Sequence, residues 1–369
     1  MDDHPALGTP VNGASMNGTS VSGISVSGRP VGPGNPCYVI AEAGSNHNRD
    51  LGIARKLIDV AAEAGVDAVK FQTYSGRTLY STKTPRFDFL DDELAAKPAH
   101  ELLDEIALPR EWQPILAEHC RERGIEFMSS PFDRQAVDEL DALDVGAFKI
   151  ASFELVDLPF IRYAAARKRP LILSTGMASL GEIEEAVVAA RDAGCDEIAL
   201  LQCASLYPAP AHVMNLRAIP VMEAAFGLPV GLSDHTNGTH AAVAAVALGA
   251  CIVEKHYTLD RTMHGPDHPF AAEPQELRDL VAHIRDTEAA LGDGVKRGPS
   301  AEESEEMYAK ARRSVVAAAN IPAGTVVTAD MLTVKRPGHG VKPKFIELLV
   351  GRIARTDIEE DDVVTWDMV

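Results

Sequence analysis

The fold follows from residues 38–72, which read YVIAEAGSNHNRDLGIARKLIDVAAEAGVDAVKFQ. Two short apolar runs, YVIAE and AVKFQ, enclose an amphipathic stretch that ends on Gly65. A glycine typically follows the last turn of a helix. This order predicts a strand, a helix and a second strand parallel to the first.

The same alternation continues along the chain. Eight β/α units over about 250 residues predict a (β/α)8 barrel of the α/β class. An open doubly wound sheet is the alternative, but no GxGxxG pattern follows the first run, so a dinucleotide site lacks support. The six later apolar runs are IEFMS (125–129), AFKIA (147–151), PLILS (170–174), EIALLQ (197–202), PVGLS (229–233) and CIVEK (251–255).

The sequence on either side of the barrel differs from it in composition and in pattern. Residues 1–36 carry a Gly/Ser-rich motif that recurs every five residues, which predicts a flexible, disordered tail. The barrel is expected at 37–295 and a charged linker at 296–309. Residues 310–369 contain short strand patterns and Pro/Gly turns, which predict a small β-rich domain.

Composition excludes several classes of partner. The formal net charge is -19, from 54 acidic and 35 basic residues, and such a surface repels nucleic acid and anionic membranes. No apolar run approaches the ~18 residues that a membrane span needs. Five scattered cysteines without a CxxC pair argue against a disulfide framework or zinc knuckle, and we expect a cytoplasmic protein.

Polar residues stand at the end of every predicted strand, where barrel enzymes carry their active sites. A serine or aspartate after a strand often caps the next helix, but eight coincidences at one rim predict a site. The residues are Glu42, Lys70, Gln72, Ser130, Lys149, Ser152, Glu154, Ser174, Gln202, Ser205, Tyr207, Ser233, His235, Glu254, Lys255 and His256.

These residue types indicate the chemistry. Lys70 and Lys149 lie in apolar strands beside several serines, a combination that suits a phosphate or carboxylate ligand. His235 and His256 end neighbouring strands, so their imidazoles are expected to converge on a divalent ion. Glu42, Glu154 and Glu254 are candidates for acid, base or supporting roles.

As an ordered set, several motifs resemble the sialic acid synthases. They are YVIAEAGSNHN, AVKFQTY, FMSSPFD, FKIASFEL, LILSTGMA, LLQCASLYPAP, GLSDHT and EKHYTLDRTMHGPDH. The C-terminal sequence RRSVVAAANIPAGTVVTADMLTVKRPGHG resembles the antifreeze-like SAF domain of that family, a β-clip fold. The resemblance implies a transferase that condenses phosphoenolpyruvate with N-acetylmannosamine or a related N-acyl aldose, releasing phosphate and a nonulosonic acid. That activity is N-acetylneuraminate synthase.

The resemblance also implies site residues, position by position. It implies a manganese or magnesium ion on His235 and His256, and a domain-swapped homodimer in which Arg336 reaches the partner's barrel. Ser205 departs from the family, where asparagine is common at this position. The resemblance implies catalytic roles for Glu42, Glu154 and Lys149. It implies that phosphoenolpyruvate is contacted by Lys70, Ser130, Lys149, Ser152, Ser174, Ser205 and Ser233. It implies that the sugar is contacted by Gln72, Glu154, Tyr207, Asp267 and Arg336.

Other activities remain open at this point. Within the family, legionaminate or pseudaminate synthases use a diacetamido-trideoxy hexose, and other synthases of the fold use phosphorylated aldoses such as those leading to Kdo 8-phosphate. The GPDH motif at 265–268 favours the neuraminate and legionaminate group. A Schiff-base aldolase or lyase with Lys149 or Lys255 as nucleophile is a different class. A non-catalytic sugar-binding protein is the third possibility.

Overall fold

The computed structural model describes residues 21–84, 97–300 and 302–369, which divide into two compact units between residues 293 and 294. The first unit contains a hairpin, β1 (Ile24–Val26) and β2 (Arg29–Val31), and an eight-stranded parallel sheet. The strands of this sheet are β3 (Tyr38–Glu42), β4 (Ala68–Thr73), β5 (Glu126–Pro131), β6 (Phe148–Ile150), β7 (Leu171–Ser174), β8 (Ile198–Cys203), β9 (Val230–Asp234) and β10 (Ile252–His256).

The sheet is rolled into a nearly closed barrel. Its strand order is β5-β4-β3-β10-β9-β8-β7-β6, and its two edge strands, β5 and β6, are consecutive in the chain and pack side by side. All neighbouring strands in this order that hydrogen-bond do so in parallel. The predicted (β/α)8 barrel is therefore confirmed, and the open doubly wound sheet is wrong.

Helices follow the strands and cover the outside of the barrel. The first begins after Asp50, whose carboxylate accepts the Ile53 N–H, and ends at Gly65 with φ of 78°, as the glycine pattern predicts. The helices are α1 (Leu51–Ala64), α2 (Gly76–Leu79), α3 (Ala99–Ile106), α4 (Gln113–Arg123), α5 (Arg134–Ala142), α6 (Leu158–Ala165), α7 (Leu180–Asp192), α8 (Ala218–Phe226), α9 (His240–Ala247) and α10 (Pro274–Leu291). Short 3-10 helices lie at Arg110–Trp112, Ser152–Glu154, Ala211–Val213 and His268–Phe270.

Side chains alternate along each strand between the interior and the exterior of the barrel. Tyr38, Ile40, Met128 and Ile172 belong to one apolar cluster inside the barrel, while Val39 and its outward-facing counterparts pack under the helices. Two residues further along the same strands, the interior positions become polar, as at Glu42 after Ile40. The barrel therefore has an apolar lower half and a polar upper half.

The predicted flexible tail is wrong for residues 21–36. Ile24, Val26 and Val31 of the β1–β2 hairpin are buried in the interior apolar cluster, at the end of the barrel away from the polar half. Ser27 and Gly28 both have positive φ, the geometry of a two-residue hairpin turn. The Arg29 guanidinium pairs with Asp67 and lies over the Tyr38 ring. Residues 1–20 of the predicted tail lie outside the described residues.

The second unit, residues 294–369, has its own small core. It contains α11 (Glu305–Ala311), the antiparallel strands β11 (Ser314–Ala317) and β12 (Leu332–Lys335), and 3-10 helices at Ala329–Met331 and Pro343–Leu348. Helix α11 begins within the predicted linker 296–309, and the predicted β-rich domain at 310–369 falls inside this unit. Across the described ranges of both units, the helices are too short or too polar to cross a membrane. Core residues of the second unit include Val315, Ile321, Val327, Leu349, Ile358 and Val364.

Candidate active site

The polar half of the barrel interior contains a buried cluster of two lysines and two glutamates. Lys70 Nζ lies 2.8 Å from Glu42 Oε2 and 3.6 Å from Glu254 Oε1. Lys149 Nζ lies 3.3 Å from the same Glu254 oxygen. None of these four side chains is more than 4% exposed. Four ionisable groups are costly to bury even when paired, so their arrangement marks a candidate functional site.

The two carboxylates of this cluster differ in their acidity. Burial raises the pKa of Glu42 to about 7, and the neighbouring Glu254 carboxylate adds to the rise, while Lys70 opposes it. Burial also disfavours ionised Glu254, but Lys149 and Lys70 together outweigh it and lower the pKa of that carboxyl. Glu254 thus stays ionised between the lysines, and Glu42 exchanges a proton near neutral pH.

Hydroxyl and amide groups surround the charged cluster. Lys70 Nζ donates to Ser130 Oγ at 3.1 Å, and Gln72 Nε2 donates to Glu42 Oε1 at 2.7 Å. Within the described ranges, the buried hydroxyls of Ser174 and Ser205 have no hydrogen-bond partner. Buried hydroxyls are nearly always paired, so Ser174, which lines the cavity, is poised to donate to a bound oxygen.

His235 and His256 converge at the top of β9 and β10. Their ring centroids lie 5.5 Å apart, and the Tyr207 ring packs 4.2 Å from that of His235. His235 Nδ1 lies 2.8 Å from the Ala204 carbonyl oxygen, to which it donates, and in the neutral ring this leaves the Nε2 lone pair free for a ligand. Burial, followed by the charge on His235, lowers the pKa of His256 well below its usual value, so that ring is neutral.

Two converging imidazoles of this kind fit a divalent metal ion, which binds each ring in its neutral form. The Nδ1 atom of buried His256 has no hydrogen-bond partner within the described ranges. In the same ranges, no cluster of three or more His, Cys, Asp or Glu side chains is arranged to hold a metal. His235 and His256 would therefore supply two ligands, and water or substrate oxygen would complete the shell.

Asp267 closes another side of the site. Its Oδ2 accepts from the Ser45 backbone N–H at 3.2 Å and from Ser45 Oγ at 3.1 Å. Burial raises the pKa of Asp267, and the two hydrogen bonds from Ser45 oppose that rise. The 3-10 helix after Asp267 is anchored by buried His268, whose ring nitrogens lie 2.6 Å from Thr258 Oγ1 and 3.0 Å from Asn48 Oδ1.

One cavity of about 400 Å³ brings most of the predicted residues together. Glu154, Gln202 and Ser205 do not line it, and burial raises the pKa of Glu154 to about 7. Arg336 belongs to the second unit and stays a prediction. The predicted residues that line the cavity are Glu42, Lys70, Gln72, Ser130, Lys149, Ser152, Ser174, Tyr207, Ser233, His235, His256 and Asp267.

Some lining residues were not assigned a site role from the sequence, and one proposed nucleophile faces elsewhere. Glu254, predicted as an acid, base or supporting group, does line the cavity and is the shared partner of both lysines, whereas Ser45, Cys203 and Phe270 line it without a predicted role. Lys255 was a candidate Schiff-base nucleophile, and that role is wrong. As the neighbour of inward-facing Glu254 it points away from the interior, into a buried ion pair.

Family models match both parts of the chain. The model described as the NeuB family matches residues 57–296, and a SAF domain model matches residues 312–369. The chain belongs to the NeuB family. It is 41% identical over 329 residues to the N,N'-diacetyllegionaminic acid synthase of Campylobacter jejuni, covering 88% of this chain and 98% of that protein.

Two further comparisons give the range of NeuB-family relatives. The chain is 36% identical to the N-acetylneuraminate-9-phosphate synthase of Homo sapiens, covering 92% of this chain and 94% of that protein. The crystal structure of N-acetylneuraminic acid synthetase from Leptospira borgpetersenii in complex with citrate matches with a TM-score of 0.69 and 35% identity. That match covers 79% of this chain and 97% of the other. The chain is thus an enzyme of the family of sialic, legionaminic and pseudaminic acid synthases.

Proposed function

We propose that this NeuB-family enzyme condenses phosphoenolpyruvate with an open-chain N-acyl aldose, giving a nonulosonic acid and inorganic phosphate. One observation carries the proposal: Lys70 and Lys149 are buried side by side in the cavity, each against a carboxylate, beneath two converging histidines. The lysines, with the hydroxyls of Ser130 and Ser174, would bind the phosphate and carboxylate of phosphoenolpyruvate.

In the proposed reaction, the methylene carbon of phosphoenolpyruvate forms a bond to the aldehyde carbon, whose oxygen takes up a proton. Water adds to the cationic centre left on the enol carbon and gives up a proton. The resulting tetrahedral adduct collapses to the ketone of the product: its carbon–oxygen bond to phosphate breaks, and the proton of its hydroxyl leaves with the phosphate. A Mn²⁺ or Mg²⁺ ion on His235 and His256 would supply Lewis acidity for the aldehyde oxygen.

The carboxyl groups of the chain match the two proton transfers. One proton is taken up and one is released per turnover, so a group that titrates near neutral pH serves both steps. Glu42, whose pKa is raised to about 7, contacts Lys70 and Gln72 in the cavity and is our first candidate. Glu154 has a similarly raised pKa but does not line the cavity, so we give it a supporting role.

We further propose N-acetylmannosamine and 2,4-diacetamido-2,4,6-trideoxymannose as the candidate aldoses. The first gives N-acetylneuraminate, and the second gives the product for which the Campylobacter jejuni relative is named. We also keep the proposals of a cytoplasmic enzyme and of a homodimer whose Arg336 completes the partner's site. The resemblance of the C-terminal region to the SAF domain supports this arrangement.

The test measures phosphate release from phosphoenolpyruvate with each aldose, together with the mass of the product. Phosphoenolpyruvate labelled with ¹⁸O in its bridging oxygen should place the label in the released phosphate, because the carbon–oxygen bond breaks. Lys149→Met should abolish release, while Lys56→Met, an exposed lysine on α1, should not. Borohydride trapping of a pyruvate adduct on Lys149 would instead favour the aldolase.

A further inference from the structure

The open end of the cavity is walled by apolar side chains. The connection from β4 to α4 carries α2 and α3. Phe132 comes directly after β5, and Phe153 lies in the 3-10 helix that follows β6. We refer to the cavity-lining residues of these segments as the apolar wall, namely Leu79, Leu102, Leu103, Ile106, Phe132 and Phe153.

This wall stands above the charged cluster. Lys70 and Lys149 lie within strands and are almost fully buried, whereas the wall residues follow the carboxyl ends of the strands. Phe153 is 52% exposed at the mouth. Two contacts fix the position of the wall. The Gly76 N–H donates to Asp104 Oδ1, which joins α2 to α3. The Phe132 ring packs edge-on against the Tyr74 ring, with 5.7 Å between the ring centroids. With phosphoenolpyruvate held at the lysines, an aldose bound above it would lie against this apolar surface.

The charges of the cavity are distributed unevenly. Lys70 and Lys149 are the only lysine or arginine side chains among its described lining residues, and both contact carboxylates. Beyond them the lining carries Asp267, an acid. A phosphate at the far end of the aldose would lose its water against the apolar wall, and none of the described lining residues there would supply a cation to replace that water, which is strongly unfavourable.

We propose that the cavity selects an aldose that is uncharged at its far end and carries methyl groups there, and that it rejects the 6-phosphorylated aldose. Acyl methyls and a deoxygenated terminal carbon would pack against the apolar wall. Burying one methyl-sized group changes affinity by about fourfold. This inference rests on the proposed condensation, because it concerns the second substrate of that reaction.

The experiment compares kcat/KM at saturating phosphoenolpyruvate for three aldoses, using the full-length enzyme. They are 2,4-diacetamido-2,4,6-trideoxymannose, N-acetylmannosamine and N-acetylmannosamine 6-phosphate. We expect the trideoxy sugar to exceed N-acetylmannosamine by about fourfold or more. We expect the 6-phosphate to fall about a hundredfold below N-acetylmannosamine. A kcat/KM for the 6-phosphate equal to or above that for N-acetylmannosamine would overturn the proposal. It would do so even if the Arg336→Ala variant lost activity on the 6-phosphate, because the cavity would then not reject the phosphate.

A charge placed on the wall makes the test sharper. Phe153→Lys should raise the kcat/KM ratio of the 6-phosphate to N-acetylmannosamine at least tenfold, since it adds the missing cation at an exposed position. Val188→Lys, at an exposed apolar position on α7 outside the cavity, is the matched control and should leave the ratio unchanged. An unchanged ratio in Phe153→Lys would count against the apolar wall as the selecting surface.

Failure of the proposed function gives a different result. If no aldose drives phosphate release, the condensation itself is refuted. The selectivity is then still decided by calorimetric binding of the three corresponding alditols, which cannot react. Tighter binding of the phosphorylated alditol would overturn the inference, and weaker binding would support it.

Discussion

Replacing Lys255 by methionine should destabilise the barrel although this lysine never faces the cavity. Its Nζ lies 2.9 Å from Asp234 Oδ2 and also donates to the Thr236 carbonyl oxygen. The side chains of Lys255 and Asp234 are 2% and 0% exposed. The pair joins β10 to β9 at the residues beside His256 and His235, so it braces both strands next to the histidines.

The magnitude follows from the burial of this pair. Lys255→Met leaves the Asp234 carboxylate buried without its cation, and such a loss typically costs about 3–5 kcal/mol. Asp234→Asn combined with Lys255→Met removes both charges. The amide oxygen of the introduced side chain would still accept the Thr236 N–H, which Asp234 Oδ1 now accepts at 2.8 Å. We expect the double variant to recover at least half of the loss.

The chain offers a clean probe for this measurement. It contains two tryptophans, and Trp366→Phe leaves Trp112, which packs on His47 in the first unit, as the sole reporter. Urea unfolding in that background gives the free energy of each variant. Lys97→Met, which removes an exposed pair with Glu105, is the control and should have little effect. A loss below about 1 kcal/mol for Lys255→Met, or no recovery in the double variant, would refute the reasoning.

Four further predictions concern the cavity and its surroundings. EDTA should abolish activity and Mn²⁺ restore it, and His235→Ala should lose activity by orders of magnitude while staying folded; full turnover by the metal-free variant would contradict this. Phosphoenolpyruvate should raise the melting temperature of the wild type but much less that of Lys149→Met, because the ligand offsets a buried charge. Burial raises the pKa of Glu154 from 4.5 to about 7, so the folded state holds a proton that the unfolded state releases. The free energy of unfolding should therefore fall as pH rises from about 4.5 to 7, and Glu154→Gln should flatten that decline. Finally, mixed dimers of Arg336→Ala and His235→Ala chains should recover part of the activity if the site is shared, and dimers as inactive as both parents, with exchange verified, would argue against sharing.

Much of the fold could be predicted because strand and helix patterns alternate so regularly. All eight apolar runs are strands, and Gly65 and Gly124 end helices as their positions indicate. The sequence does not predict the β1–β2 hairpin, because a Gly/Ser-rich composition is also typical of flexible segments. The same letters in ISVSGRPV also describe a two-residue turn between alternating apolar positions, and only the burial of Ile24 and Val26 inside the barrel distinguishes the two cases.

The sequence predicts that the site lies at the carboxyl ends of the strands, but it does not predict which individual side chains face into it. Parallel strands are apolar on both faces, so sequence alone does not say which of two neighbouring residues faces the interior. Glu254 and Lys255 illustrate this: one bridges both cavity lysines, and the other lies in an ion pair on the opposite face. Tyr38, Ile40 and Glu42 are the residues of β3 that face the interior. From them, the alternation along each strand and the pairing between strands determine which residues of the other strands face the interior.

The proposed binding of an anion by a protein with a net charge of -19 is made possible by the pairing of charges in the cavity. Glu42 and Glu254 neutralise Lys70 and Lys149 in the free enzyme, which makes the buried cluster tolerable without ligand. In the proposed reaction, phosphoenolpyruvate brings negative charge against the same lysines, and the carboxyl group with the raised pKa, Glu42, is the one that takes up a proton in response. Glu254 keeps its charge and stays paired with both lysines. Binding of the anion would thus load Glu42 with the proton that the developing alkoxide of the aldose requires, so one pair of carboxylates couples substrate binding to acid catalysis.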